Sequence, residues 1–396
     1  MTPSPPALVP SPEDVRRILA GVMDPELRAS IVELDMVGDV TVGEDGVVTV
    51  QVALTTAGCP LRGQIKADVA SKVRGLPGVT DVVVEYGEMT PEQKSAAMGR
   101  ARWNARENAE PTEVSAQTRV LAIASGKGGV GKSSVTVNLA VALAARGLTV
   151  GVLDADIWGF SIPRMLGVEG RLGGAEGKIH PSLREIANRL DPKGPPGTLK
   201  IVSMGLLVDD EQTALMWRGL VLTKAVEQFL NDVRWGDMDY LLVDMPPGTG
   251  DIQMGLARML PQTELLVVTT PARAAQKVAA RVADMARRSF LKVTGVVENM
   301  SAFVAPDGVS YPLFGAGGGE ELAREIGAPL VAQIPLEPAV SEGGDIGEPV
   351  AVAAPDDPAG AAFHRLAARV VEELLPPVEM SGCTARIFEL VNRTTS

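Results

Sequence analysis

Cysteine, histidine and aromatic residues are scarce in this chain, whose 396 residues include two cysteines, two histidines and 4% aromatic side chains. Cys59 and Cys383 lie far apart in the sequence, so the chain has no Cys-x-x-Cys pair and no cysteine spacing typical of a disulfide framework. This cysteine usage favours a reducing, cytoplasmic compartment.

Long apolar runs are also missing. No stretch reaches the ~18 apolar residues of a membrane helix, and the first residues lack a basic segment followed by an apolar core. We therefore expect neither a membrane span nor an export signal.

Basic residues are fewer than acidic ones, because the chain has 37 Lys and Arg and 49 Asp and Glu, which gives a net charge of −12. A field of that sign repels phosphate polyanions and disfavours nucleic acid as a partner.

The pattern along the chain predicts two domains. Residues 1–89 are expected to form a small α+β domain with a β-hairpin over Val37–Val42 and Val47–Leu54 and a helix over Arg62–Arg74. Residues 90–118 are polar and are predicted to be a linker that is partly helical. Residues 119–376 form the larger domain, and residues 377–396 are predicted to be a C-terminal tail.

In the larger domain, short apolar runs alternate with helical stretches. This alternation predicts an α/β fold with a mostly parallel sheet covered by helices on both faces, since strands buried on both sides read as continuous apolar runs. The predicted strands are Val120–Ser125, Leu148–Asp154, Leu199–Met204, Tyr240–Asp244, Leu265–Thr270, Val293–Glu298 and Leu330–Ile334.

A glycine-rich loop follows the first of these strands and precedes a helical stretch. It matches G-x-x-x-x-G-K-[ST], a loop whose backbone N–H groups cradle phosphates at a helix N-terminus. Lys132 is predicted to reach the β- and γ-phosphates and Ser133 to ligate Mg²⁺. The larger domain is thus predicted to be a P-loop NTPase that hydrolyses ATP. The predicted ATP-binding residues are Gly126, Lys127, Gly128, Gly129, Val130, Gly131, Lys132, Ser133 and Ser134.

Three carboxylates complete the predicted nucleotide site. Asp154 and Asp156 come at the end of one apolar strand, where open α/β sheets place their ligand groups. Asp244 closes the apolar run that begins at Tyr240, which is the Walker B pattern. The segment Met245–Asp251, with its prolines and glycines, is expected to move when a γ-phosphate leaves.

Several motifs in fixed order resemble the Mrp/ApbC group of iron–sulfur cluster carrier ATPases, within the MinD/ParA-like superfamily. The resemblance covers roughly residues 119–371. The small domain resembles the PaaD/SufT-type assembly-factor domain through Asp24–Glu26, Ile31–Asp35 and Thr55–Pro60. The motifs in the larger domain are Ser125–Ser133, Asp154–Pro163, Met216–Gly219, Asp244–Asp251, Val297–Ser301, Phe314–Gly319 and Gln333–Leu336.

This resemblance implies an ATPase that holds an iron–sulfur cluster and hands it to apo-proteins or to assembly factors. It implies an ATP-dependent homodimer in which Lys127 reaches the partner's phosphates. It also assigns Asp156 to the attacking water, with Asp154 as its support, and Asn299 to the adenine ring. The predicted Mg²⁺ site consists of Ser133, Asp154 and Asp244.

One departure from the family pattern concerns the cluster itself. Members that bind a cluster carry a Cys-x-x-Cys pair just after Asn-Met-Ser, whereas this chain has Ala305 and Gly308 at those places. A homodimer would still offer four thiolates, Cys59 and Cys383 from each chain, and four is the number that an iron–sulfur cluster needs. Cys59 matches the reactive cysteine of the resembling small domain.

Two other functions remain open at this point. A positioning ATPase of the plasmid-partition or septum-placement type shares the two-lysine P-loop but attaches to DNA or membrane, which the net charge and the weakly amphipathic tail disfavour. A metal-free scaffold switched by ATP would explain the missing cysteine pair.

Overall fold

The computed structural model describes residues 9–24, 29–54, 62–107, 111–156, 159–175, 177–206, 219–248, 250–289, 291–305 and 309–377. The chain divides into two compact units, Met1–Ala109 and Glu110–Ser396. Among the described residues, no helix combines the length and the apolar character needed to cross a membrane.

In the described part of the first unit, three strands form a sheet in the order β1-β2-β3. The first two strands pair antiparallel, and the last two pair parallel. Val48, Val50 and Val52 are fully buried on one side of β2 and alternate with more accessible neighbours, as a half-buried strand requires. The predicted hairpin and the predicted helix after it are confirmed. The elements are α1 Pro12–Leu19, β1 Val37–Val42, β2 Val47–Leu54, α2 Arg62–Arg74, β3 Asp81–Glu88 and α3 Pro91–Glu107.

Helix α3 lies within the stretch predicted to be a linker. Its Arg100 Nη2 donates to the Leu34 carbonyl at 3.2 Å, and its Asn104 Nδ2 donates to Glu33 Oε2 at 3.2 Å. These contacts attach α3 to the turn before β1 in the first unit. Polar contacts of this kind leave no apolar periodicity, which is why the sequence pattern did not predict a continuous helix here.

In the described part of the second unit, nine strands form the central sheet. The strand order is β13-β12-β11-β4-β10-β5-β9-β8, and β14 also pairs with β12. Neighbours pair parallel except at β8 and β13. Its strands are β4 Arg119–Ser125, β5 Thr149–Asp154, β8 Ser182–Ile186, β9 Gly197–Ser203, β10 Tyr240–Asp244, β11 Glu264–Thr269, β12 Lys292–Val304, β13 Ser310–Tyr311 and β14 Leu330–Leu336. A separate antiparallel pair consists of β6 Gly173–Ala175 and β7 Lys178–His180.

Helices cover both faces of this sheet, as predicted. Side chains of β4 alternate between the two apolar clusters, with Val120, Ala122 and Ala124 in one and Leu121 and Ile123 in the other. Residues of helices α6 to α9 belong to the first cluster, and residues of helices α4, α11 and α12 belong to the second. The helices are α4 Lys132–Ala144, α5 Ile162–Met165, α6 Gly219–Asp232, α7 Gly250–Met259, α8 Arg273–Arg288, α9 Gly318–Ile326, α10 Pro338–Ile346, α11 Val350–Ala353 and α12 Pro358–Arg369.

Parallel pairing in register brings the catalytic candidates to one edge of the sheet. Asp244 at the end of β10 lies beside Ile123 of β4 on one side and beside Asp154 of β5 on the other. The glycine-rich loop leaves the same edge after Ser125. The fold therefore assembles one site from three neighbouring strand ends.

Candidate functional site

The glycine-rich loop joins β4 to α4 through backbone conformations that only glycine adopts readily. Gly129 and Gly131 have φ angles of +81° and +79°, in the left-handed region. Gly126 is required for a different reason, since a Cβ there would lie 2.3 Å from the backbone carbon of Val278 on α8. The loop thus turns tightly and presents the N-terminus of α4 to the edge of the sheet.

Lys132 sits at the centre of the site and is nearly buried, with 6% of its surface exposed. Its Nζ lies 2.6 Å from Asp244 Oδ2 and 3.9 Å from Asp156 Oδ2. Ser133 Oγ donates to the same Asp244 Oδ2 at 2.7 Å. The structure therefore brings three other predicted site residues, Ser133, Asp156 and Asp244, together around one buried cation.

Asp154 completes this group from the neighbouring strand and is 1% exposed. Ser203 Oγ donates to its Oδ2 at 3.0 Å, and the Asp156 backbone N–H donates to its Oδ1 at 3.1 Å. Burial, followed by the nearby Asp244 carboxylate, raises the pKa of Asp154 to about 7, although Lys132 and the two hydrogen bonds oppose the shift. Ionising Asp154 beside Asp244 therefore costs free energy, because the two carboxylates are buried close to each other.

The oxygen atoms at this edge fit the ligand preference of Mg²⁺. This ion favours carboxylate and hydroxyl oxygens together with phosphate oxygens of a substrate. Ser133 Oγ and Asp244 Oδ2 already lie within 2.7 Å of each other. The donor set suits a cation held between the protein and a nucleotide.

Lys127 differs from Lys132 in its surroundings. It lies on the exposed part of the loop, where its own carbonyl accepts a hydrogen bond from Ser125 Oγ at 3.2 Å. An exposed ammonium in a phosphate-binding loop is accessible to a second molecule. Its predicted role across a dimer interface stays a prediction.

Asn299 lies at the end of the buried part of β12 and is 6% exposed. Its Nδ2 donates to the Val130 carbonyl of the loop at 2.9 Å. A Cβ added to Gly131 would clash with Asn299 Nδ2, so only glycine fits there. The next residue, Met300, has a φ of +56°, and the pairing of β12 with β14 is irregular there. Asn299 therefore supports the phosphate-binding loop, and its predicted contact with adenine stays a prediction.

The segment after Asp244 is hydrogen-bonded to the end of β4. The Met245 N–H donates to the Ile123 carbonyl at 3.0 Å, and the Gly248 N–H donates to the Ser125 carbonyl at 3.2 Å. Gly248 has a φ of +74°. These bonds connect the Walker B segment to the strand that precedes the phosphate-binding loop.

Two hydroxyl groups in this site were not predicted from the sequence. Ser203 at the end of β9 holds Asp154, and Thr136 on α4 donates to Asp244 Oδ1 at 2.7 Å. Helical spacing could have indicated Thr136, because it lies one turn after Lys132 on the same face of α4. No comparable signal marks Ser203, whose position depends on the pairing of β9 with β5.

Strands β12 and β13 pair antiparallel next to Ala305 and form a β-hairpin. Ala305 donates its N–H to the Val309 carbonyl at 2.9 Å, beyond the paired strands β12 and β13. Five apolar side chains in and after this hairpin are exposed: Val304, Val309, Tyr311, Leu313 and Phe314.

Both candidate cluster ligands, Cys59 and Cys383, lie outside the described residues, and so does Gly308. Within the part of the chain that the structure describes, no three His, Cys, Asp or Glu side chains group to hold a metal ion.

Comparison with known families accounts for both units. A family model described as NUBPL iron-transfer P-loop NTPase matches residues 116–371. A second model, described as iron-sulfur cluster assembly protein, matches residues 12–85.

Named relatives extend over most of the chain. An iron-sulfur cluster carrier protein of Mycobacterium tuberculosis is 44% identical over 360 residues, covering 89% of this chain and 91% of the relative. One from Synechocystis is 42% identical over 358 residues, covering 90% of this chain and 96% of the relative. A solved nucleotide-binding protein from Archaeoglobus fulgidus in complex with ADP is 34% identical, with a TM-score of 0.47, and covers 59% of this chain and 88% of that chain.

Proposed function

The chain belongs to the NUBPL iron-transfer P-loop NTPase family, and from this premise we propose that it is an ATPase that carries iron–sulfur clusters to apo-proteins. The observation that supports the ATPase part of this proposal best is the group of buried Lys132, Asp154 and Asp244 at the phosphate-binding loop, with half-buried Ser133 bonded to Asp244. Such a group positions the phosphates and stabilises the negative charge that develops on them, and these two effects account for most of the catalysis of phosphoryl transfer.

We assign the roles at this site from its contacts. Lys132 Nζ lies 2.6 Å from Asp244. Because the lysine stem is flexible, Lys132 can exchange this carboxylate for the β- and γ-phosphates. Ser133 and Asp244 would hold Mg²⁺, which would neutralise phosphate charge. Asp156, 3.9 Å from Lys132 Nζ, orients the attacking water.

The active form that we propose is a homodimer with ATP near the interface. Exposed Lys127 is the residue that would complete the partner's site, because it alone of the two loop lysines is exposed to solvent. Hydrolysis then resets the segment around Gly248, which is hydrogen-bonded to the end of β4.

The cluster is the cargo, and Cys59 and Cys383 are its proposed ligands. Two chains supply four thiolates, the number that a [2Fe–2S] or [4Fe–4S] cluster needs. The clients are apo iron–sulfur proteins or assembly factors. We propose a cytoplasmic setting, where thiols stay reduced, and neither nucleic acid nor membrane as a partner for a chain of charge −12.

One observation favours a second function. The hairpin has Ala305 at a cysteine place of the family, so a scaffold that binds clients under ATP control without a metal would need no change in the nucleotide site.

A transfer assay separates the two functions. The reconstituted chain is mixed with apo-ferredoxin and MgATP, and the holo-ferredoxin spectrum is followed for wild type, Asp244→Asn and a Cys59→Ser/Cys383→Ser double variant. The carrier proposal expects transfer by wild type and none by the cysteine double variant, which should still hydrolyse ATP. If wild type hydrolyses ATP at the same rate as the cysteine double variant but transfers no cluster, the result would support the scaffold.

A further inference from the structure

Thr136 is fully buried in the first turns of α4 and faces the end of β10. Its Oγ1 lies 2.7 Å from Asp244 Oδ1 and 3.1 Å from the carbonyl oxygen of Lys132, one helical turn earlier. A hydroxyl has one proton to donate. The closer, charged carboxylate is the stronger acceptor, so the hydrogen bond goes to Asp244.

The two oxygens of Asp244 therefore have different partners. Oδ1 accepts from Thr136, whereas Oδ2 accepts from Ser133 Oγ at 2.7 Å and faces Lys132 Nζ at 2.6 Å. Asp244 is 0% exposed, so no solvent molecule can take the place of a lost partner without a rearrangement.

Rotation of the carboxylate about its χ2 bond would move Oδ2 away from Ser133. The terminal torsion of Asp is broad and holds its angle only where hydrogen bonds fix it. Asp154 lies beside Asp244 at the adjacent strand end, and both side chains are buried. Thr136 is the contact on the far oxygen that opposes this rotation.

We propose that Thr136 is a positioning residue that fixes the Asp244 carboxylate so that Oδ2 and Ser133 Oγ together accept a divalent cation with the nucleotide. This role rests on the proposed ATPase function. It concerns the cation and not the phosphates, since Thr136 contacts neither the glycine-rich turn nor the side chain of Lys132 in the described contacts.

The test compares Thr136→Val, which keeps the shape and removes the hydroxyl, with Thr136→Ser, which keeps the hydroxyl. Mn²⁺ binding is measured by electron paramagnetic resonance on the full chain with saturating ADP, and ADP binding alone is measured by calorimetry in EDTA. Thr263→Val is the matched control, because Thr263 is also buried and donates to the Leu260 carbonyl at 2.6 Å before β11, away from this edge.

We expect Thr136→Val to weaken Mn²⁺ binding by about tenfold or more, the usual effect of losing a hydrogen bond to a metal ligand. Metal-free ADP affinity should change less than about twofold, and Thr136→Ser and Thr263→Val should resemble wild type. If Thr136→Val does not fold, Thr136→Ala replaces it with the same expectation.

Two results would overturn the assignment alone: normal Mn²⁺ binding by Thr136→Val, or an equal loss of metal-free ADP binding, which would indicate a defect in helix packing. A wild type that binds neither ADP nor Mn²⁺ with ADP would overturn the proposed ATPase function together with this role.

Discussion

Two regions at the same edge of the central sheet are built in opposite ways. Around the phosphate-binding loop, charged side chains are buried and hydrogen-bonded to one another, with Asp244 contacted by Lys132, Ser133 and Thr136. In the hairpin of β12 and β13, apolar side chains such as Val304 and Tyr311 are exposed at 44% and 45%.

This difference indicates which of the two regions tolerates substitutions better. Removing one member of the buried group leaves another charge without a partner, which costs several times more than an exposed substitution. A hairpin that extends into solvent carries no such constraint. We therefore expect substitutions in the hairpin to be tolerated better than substitutions in the nucleotide site.

The largest expected effect comes from the buried group. Lys132→Ala should lower the ATP hydrolysis rate by about 10²-fold or more, because it removes the cation that meets the developing charge. Steady-state phosphate release measures this. Lys292→Ala, an exposed lysine paired with Glu264 at 2.9 Å at the start of β12, should stay within about twofold of wild type. A hydrolysis rate of Lys132→Ala close to wild type would place the chemistry elsewhere.

A smaller effect is expected at the residue that joins the two regions. Asn299→Ala removes the hydrogen bond to the Val130 carbonyl, so the affinities for ATP and GTP should fall together, by roughly five- to tenfold. Fluorescent nucleotide competition gives both values. A loss confined to ATP would instead support the adenine contact implied by the family resemblance.

The pH dependence of stability tests the crowding of carboxylates. The pKa of Asp154 is raised to about 7 from an ordinary value of 3.8, so the folded chain binds this proton more tightly than the unfolded chain does. The resulting stabilisation is complete below the unfolded pKa and is lost as the pH rises through about 7.

Asp154→Asn should lack this dependence. Relative to the variant, the wild-type free energy of unfolding should fall between about pH 4 and 7 by up to ~1.4 kcal/mol per pH unit and level off at higher pH. Urea unfolding of the nucleotide-free chain at several pH values measures both proteins. Parallel curves for wild type and Asp154→Asn would show that Asp154 ionises normally.

The smallest effect is expected in the hairpin. Val304→Ser changes a half-exposed side chain, and both ATP hydrolysis and the unfolding temperature should stay close to wild type, with ΔΔG within about 0.5 kcal/mol. A loss comparable to that of Asn299→Ala would mean that the hairpin is part of the nucleotide site after all.

Most of the central fold was predictable because its strands are buried on both faces. Tyr240–Asp244 has the predicted bounds, and the other predicted strands match within a few residues, except that β12 continues to Val304. That extension follows the irregular pairing near Met300, which apolar periodicity does not reveal. The edge strand Ser182–Ile186 was not predicted, because edge strands carry charged side chains and lack a continuous apolar run.

The site was predictable where a motif fixes the backbone and unpredictable where contacts depend on sheet order. The glycine-rich loop specifies Lys132 and Ser133 directly. Ser203 is recruited only because β9 pairs with β5, and the bond from Asn299 to Val130 requires β12 and the loop to meet in three dimensions. Local sequence patterns contain no record of such long-range neighbours.

The most direct test of the carrier function is the iron and acid-labile sulfide content per chain after anaerobic reconstitution, together with a visible spectrum. Wild type, Cys59→Ser and Cys383→Ser are compared, each with its ATP hydrolysis rate. The account predicts a stoichiometric cluster in wild type that either substitution removes while hydrolysis persists. A wild type that hydrolyses ATP but binds no iron would contradict cluster carriage and leave the metal-free scaffold as the function of this chain.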